Sequence, residues 1–365
     1  MLWYQHKWRM FVKIEKMSNE KQQGNNRDHY IDAMKGVAIL GVLFIHTVFG
    51  SGDRYVPGLF RTIALLIDVP IFFFLSGMTS SGNIGKVLKR LVNLQITYMG
   101  FMTLVFLMVF LYMLTIHSQT SKWSLLFHWY CHNYLPSDPF FAVKGSMWYM
   151  RVYFGVSVVA VVLMKYFSNR AIDLSIVFLI SVVSLGVGLA WQGIYEVLWQ
   201  VIFYLPICLA GYRLKNVRLK MTSGIFVKYI LPLSLFAGIL CVFAGVSWMQ
   251  GRLFVLQEQK FPPSIIYLLA SIPSLFMIFV WKGRIQVSQN NVLAKMGQNA
   301  IFYYFAQGIS SSLLDPMVSY GKTHVEWYWL LPIMFCLNVA MAIPIAYMLK
   351  RMDSLMWSLF CRRKQ

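Results

Sequence analysis

Apolar runs about 20 residues long recur along the chain from Ile31 to Leu349, divided by short polar or charged segments. Each run is long enough to cross the hydrocarbon core of a bilayer, and a helix that does so pairs its own backbone groups where no water can. Hydrophobic residues make up 58% of the chain and charged residues only 13%, a balance outside the range of soluble domains. The pattern predicts an all-α fold, a polytopic membrane helix bundle of about ten transmembrane helices. The expected spans lie near 31–50, 59–80, 92–116, 146–164, 172–190, 197–212, 225–247, 263–281, 297–315 and 327–349. A basic tail over 1–29 precedes the membrane domain at 30–350, and a second basic tail follows at 351–365. The longest polar stretch between spans is the loop near 117–144. Neither an internal repeat nor an inverted pair of broken helices is visible, which argues against a secondary transporter.

Lysine and arginine orient the bundle. They concentrate before residue 28 and around 86–90, 165–170, 213–228, 282–295 and 350–364, and they are sparse in the alternate loops, where Arg54, Lys122 and Arg252 stand. The positive-inside rule then puts both termini in the cytoplasm. The net charge of +20 points to anionic lipid headgroups rather than nucleic acid, because the cations cap helix ends and leave no basic face outside the membrane segments. Cys131, Cys208, Cys241, Cys336 and Cys361 show no CxxC or paired spacing, so neither a disulfide framework nor a zinc cluster is expected. The polar start of the chain lacks the apolar core of a secretory signal, and Met17 opens a stretch, MSNEKQQGNN, that reads as an ordinary start.

Ionisable side chains at membrane depth are costly and are therefore candidate functional groups. They are few: Asp32, Lys35 and His46 in the first span, Asp68 in the second, Arg151 in the fourth and Asp315 at the end of the ninth. Lys35 and His46 stand eleven residues apart in MKGVAILGVLFIH. That is close to three turns, so they share a helix face with about 16 Å of axial rise between them. With the N-terminus inside, Lys35 lies at the cytoplasmic rim and His46 in the outer half. Lys35 suits either a snorkelling anchor or a cation for phosphate. His46 suits either an interhelical hydrogen bond or a titratable base. Asp32, one turn before Lys35, is placed to pair with it.

The second span adds further groups. In DVPIFFFLSGM, Asp68 comes to the depth of His46, where it can orient the ring, and Pro70 kinks the helix beside it. Ser76 and Gly77, near the inner end, permit close approach of a helix or of a ligand. Lys86, Lys89 and Arg90 follow as a basic inner rim, read either as topology determinants or as a polyphosphate clamp. Arg151, within GSMWYMRVYF, needs an acidic or carbonyl partner. His128 and His132 in HWYCH form an i, i+4 pair beside Cys131, without an evident third ligand for a metal.

Taken in order, these segments resemble the acyltransferase 3 family of integral membrane acyltransferases. YIDAMKGVAILGVLFIH resembles the family's first helix, with its Arg or Lys, ten residues, then His. VPIFFFLSG looks like the FFxxSG segment, and the basic KVLKRL follows it. SMWYMRVYF is similar to the Trp-aromatic-x-Arg segment of one branch. MGQNAIFYYFAQ resembles the late helix that usually reads Gly, two residues, Ser-Leu, then an aromatic and a His. The likeness runs over about 30–350. Departures are Lys35 for the commoner Arg, Met78 for Tyr, Ala300 for Ser and Gln307 for His. No hydrolase-like domain follows the membrane domain, as in stand-alone members.

The resemblance implies a multi-pass protein of the bacterial plasma (inner) membrane. It implies transfer of an acyl group, usually acetyl from cytoplasmic acetyl-CoA with succinyl-CoA as the other donor, and no metal. The acceptor is a hydroxyl of a cell-envelope carbohydrate: O-antigen, capsule, exopolysaccharide or a lipid-linked glycan. On this reading Lys35, Ser76, Lys86, Lys89 and Arg90 bind CoA. His46 is the general base or a transient acyl carrier, Asp68 orients it, and Arg151 or a backbone donor stabilises the oxyanion. Two other readings share these residues. One is a transporter or flippase of a lipid-linked glycan, with the buried charges as its path. The other is a family member that has lost catalysis and serves as a partner. The register of Lys35, ten residues and His46, then FFFLSG and a basic run, favours the enzyme, since a flippase has no need of it.

Overall fold

The structure, a computed structural model, describes residues 27–49, 55–116, 123–132, 141–166, 196–217, 238, 256–261 and 263–361. The expected span at 172–190, the one at 225–247 but for residue 238, and the tail up to residue 26 lie outside them. The described elements are α1 (His29–Phe49), α2 (Gly58–Ala64), α3 (Pro70–Thr79), α4 (Ile84–Ile116), α5 (Trp123–Tyr130), α6 (Phe141–Tyr166) and α7 (Glu196–Leu214). A 3₁₀ turn at Leu256–Gln259 leads into α8 (Ile265–Trp281), α9 (Val292–Gln298), α10 (Ala300–Gly321) and α11 (Trp327–Cys361). Among the described residues there is no sheet, only an isolated bridge between Lys260 and Pro263. The chain is all-helical there, and five helices, α1, α4, α6, α7 and α11, are long and apolar enough to cross a membrane.

One expected span is broken. The run at 59–80 does not form a continuous kinked helix: α2 ends at Ala64, and α3 starts afresh at Pro70. Proline suits a first helical position, because its missing N–H would have no partner there and its φ is already helical. The ten residues of α3 cannot span a bilayer alone. The break leaves Asp68 in a turn, where its backbone carbonyl accepts from the Ile71 N–H at 3.0 Å.

Burial sorts the helices into centre and rim. In α1, 61% of the spanning window is buried within the protein, against 33% in α4 and in α11. The central helix therefore carries the register that matters, and α4 and α11 turn much of their apolar surface outward. Helices in lipid pack through small residues that let backbones approach, and two such crossings fix the centre. Gly36 of α1 lies against the Leu293 backbone of α9, while Gly297 of α9 lies against the Asp32 carbonyl of α1, and a Cβ at either would overlap that backbone. Gly77 of α3 meets Cys208 of α7, and Gly211 of α7 meets Phe74 of α3, in the same reciprocal way. Of the two approaches open to Gly77 from sequence, the helix is the one the structure shows. Gly41 brings α1 against Ile67, which seats the Asp68 turn beside the middle of α1.

Further along α1, a buried polar knot ties it to α10 and α11. Asn338 of α11 donates to the Leu43 carbonyl at 3.2 Å and to Thr47 Oγ1 at 3.0 Å, and its Oδ1 accepts from Ser310 Oγ of α10 at 2.5 Å. A buried amide is costly unless both its ends are paired. Here the pairing locks α1, α10 and α11 together one residue from His46.

Gly297→Ala is expected to destabilise the protein by about 3 kcal/mol, since overpacked backbone contacts must separate. Asn338→Leu is expected to cost about 1 kcal/mol, near the scale of interhelical hydrogen bonds in membranes. Thermal unfolding in detergent checks both. A Gly297→Ala protein with an unchanged midpoint would contradict the α1–α9 crossing.

Candidate active site

The register of α1 puts Lys35 and His46 on the wall of one cavity of about 360 Å³. The same cavity takes Asp68 from the turn before α3, Ser76 from α3 and Arg90 from α4. The late segment contributes Gly297 and Gln298 of α9 and Tyr304 of α10. From α6 come Trp148, Tyr149 and Tyr153, with Tyr149 packed between the rings of Phe73 at 5.3 Å and Tyr304 at 5.4 Å. The middle of the cavity is therefore aromatic, and its charges stand apart along α1.

At one end are Lys35 and Arg90, close enough to act on each other electrostatically. The Arg90 guanidinium lies over the Tyr153 ring at 5.9 Å, and Ser76 Oγ is 3.4 Å from the Tyr153 hydroxyl. The pairing of Asp32 with Lys35 expected from spacing is not made. Asp32 is ion-paired to Arg27 at 2.5 Å, so among the described residues Lys35 has no carboxylate in contact. Lys86 and Lys89 are exposed on α4 and do not line the cavity; of the basic rim, only Arg90 turns inward.

At the other end is a buried ion pair that the sequence did not announce. Lys260 Nζ is 2.7 Å from Asp68 Oδ2, with the two side chains 7% and 2% exposed. The Tyr267 hydroxyl of α8 donates to the same Oδ2 at 2.6 Å. Asp68 does stand at the depth of His46, and both it and Lys260 lie within electrostatic reach of the imidazole. Among the described residues, however, its hydrogen bonds go to Lys260 and Tyr267, not to the ring it was expected to orient. Lys260 stands in the loop VLQEQKFPPS, where a sequence reading counts it as one more cation between spans. Nothing in its spacing shows that the chain folds it inward.

Arg151 is not brought to the cavity. Its neighbours Trp148, Tyr149 and Met150 line it, but a helix turns about 100° per residue, and Arg151 projects elsewhere. It acts electrostatically on His132 instead, and its Nε has no hydrogen-bond partner among the described residues. His132 is held by Gln95 Oε1 at 3.0 Å and stacks on Tyr98 at 4.2 Å, which ties α5 to α4. Gln307 does not line the cavity either; its amide is 1% exposed and unpaired among the described residues.

A family model described as an acyltransferase domain, Acyl_transf_3, matches residues 28–347. The chain belongs to the acyltransferase 3 family. No curated protein and no solved structure matches it. With five helices among its described residues long and apolar enough to cross a membrane, this acyltransferase is a multi-pass membrane protein.

Within the acyltransferase, removing one member of a buried pair leaves the other charge uncompensated at a cost of about 3–5 kcal/mol. Asp68→Asn is therefore expected to lower the unfolding midpoint sharply. Tyr267→Phe, which removes one hydrogen bond, is expected to cost about 1 kcal/mol. Unfolding in detergent checks the order, and an Asp68→Asn protein as stable as the wild type would show that the pair holds nothing.

Proposed function

We propose that the protein moves an acetyl group from cytoplasmic acetyl-CoA to a hydroxyl of a cell-envelope carbohydrate, with His46 as the general base. The observation that carries this reading is that Lys35 and His46, about 16 Å apart along one helix, line a single cavity. Arg90 joins Lys35 at the inner end. The reading places both termini in the cytoplasm of a bacterial inner membrane, with about ten spans in all. CoA is a polyanion of the cytoplasm, and Lys35 and Arg90 offer its phosphates two cations with no carboxylate in contact among the described residues, Asp32 acting on Lys35 only from a distance. Its pantetheine arm then runs along the aromatic middle of the cavity and delivers the thioester to His46.

There the acceptor hydroxyl attacks the thioester carbonyl carbon while His46 takes its proton. A C–O bond forms and the carbonyl oxygen becomes an oxyanion. When the carbonyl reforms, the C–S bond breaks, and the CoA thiolate leaves with the proton that His46 returns. The products are an ester and free CoA, and the imidazole is neutral again. Succinyl-CoA fits the same steps with a second carboxylate to accommodate. The acceptor is an O-antigen, capsule, exopolysaccharide or lipid-linked sugar that reaches His46 from the outer half.

His46→Ala is expected to lower acyl transfer by about 10²- to 10⁴-fold while leaving abundance in the membrane unchanged. Mass spectrometry of envelope glycans reads this as loss of one acyl increment, as in a strain without the gene. Normal acylation in the His46→Ala strain would sink the mechanism. Lys35→Ala and Arg90→Ala are each expected to weaken CoA binding by about tenfold, whereas Lys86→Ala and Lys89→Ala change it by about twofold or less. Calorimetry with CoA and the detergent-purified protein separates the two pairs. Equal losses at all four positions would make the inner rim a diffuse charge rather than a site.

A further inference from the structure

We infer that Lys260 is the oxyanion-stabilising residue of this reaction, and that Asp68 is the positioning residue that holds it. The inference rests on the acyl-transfer reading above. The transfer step separates charge: a proton arrives on His46 as negative charge develops on the thioester carbonyl oxygen. In a low-dielectric site that separation is favoured by fixed charges aimed in advance at both products.

The cations that line the cavity are Lys35, Arg90 and Lys260. Lys35 and Arg90 act on each other at the inner end, about 16 Å of helix from His46 in the case of Lys35. Lys260 is the one within electrostatic reach of His46. Arg151 does not line the cavity at all. An ammonium carries three donors. Among the described residues one of them is engaged, by Asp68 at 2.7 Å, while the faces of Trp148 at 5.6 Å and Phe261 at 5.5 Å flank the charge. Donors are thus left for a group entering the cavity.

The ammonium is also held still. Its counter-ion is fixed by Tyr267, and its own backbone is fixed by the Lys260 N–H to Gln257 carbonyl bond at 3.2 Å and by the bridge to Pro263. A lysine in an open loop would have to be ordered at each turnover; this one is ordered beforehand, and preorganisation is what makes such a charge effective. Lys260 faces the oxyanion, and Asp68 holds it there.

The test compares Lys260→Met, Lys260→Arg and the double variant Asp68→Asn/Lys260→Met in native-host membranes supplied with [¹⁴C]acetyl-CoA, counting label in alkali-labile ester. Lys260→Met is expected to lower kcat by about 10²- to 10³-fold with KM for acetyl-CoA changed by no more than about threefold. Lys260→Arg keeps part of the rate. The double variant removes both buried charges, so it regains the thermal stability that Asp68→Asn loses, yet its turnover stays low. Turnover near that of the wild type in the double variant would overturn the inference and leave the pair a structural one. So would a Lys260→Met protein whose KM rises while kcat holds. A wild-type protein that forms no labelled ester would instead overturn the acyl-transfer reading, and this inference with it.

Discussion

Backbone contact between helices at glycine is the constraint on which the rest of the structure depends. In lipid the apolar side chains of a helix gain little by meeting another helix, so packing must come from close fit. Gly36 with Gly297, and Gly77 with Gly211, bring α1 to α9 and α3 to α7 at distances that no side chain allows. These contacts fix where α1 and α3 stand, and α1 and α3 carry Lys35, His46 and Ser76. The cavity is what remains between helices held this closely on two sides. The Asn338 knot then fixes the same face of α1 about two to three turns further along, because it grips the Leu43 carbonyl and Thr47.

Much of this was legible in sequence where one helix carried the information. The eleven-residue interval between Lys35 and His46 is a property of α1 alone, and it survives folding intact. FFFLSG and the late MGQNA segment were recognisable because their glycines stand at fixed offsets from their aromatics, and Gly77 and Gly297 prove to be contact points. The helical class and the five described spanning helices follow from composition and run length.

What was not legible depends on tertiary direction. Lys86, Lys89 and Arg90 are equivalent in a string, but only Arg90 lines the cavity: helix rotation turns Lys89 aside, and Lys86, one turn earlier on the same face, is exposed. Arg151 fails by the same rotation, although its neighbours arrive. Asp32 found Arg27 rather than Lys35, because a carboxylate in the first turn can reach backward as easily as forward. The run at 59–80 has the composition of a span, yet Pro70 serves as a first helical residue and the chain turns before it. Lys260 is the largest omission. A lysine between spans ordinarily reports topology, and only the folded loop reveals that its charge is buried against Asp68.

The two ends of the cavity differ in how their charges are balanced, and this difference gives the site a direction. Lys35 and Arg90 have no ion-paired carboxylate among the described residues, so an incoming polyanion does not have to displace one. Lys260 is already neutralised by Asp68, so it exerts little pull on a distant anion and, on the proposed acyl-transfer reading, leaves the CoA phosphates to Lys35 and Arg90. It acts on charge that develops within contact, where the near ammonium outweighs the farther carboxylate. A cavity with unpaired cations at both ends would bind a polyanion in either orientation and place its thioester correctly only half the time. On the proposed reading, pairing one cation and leaving the other two open orients the donor without any contact to the acyl group itself.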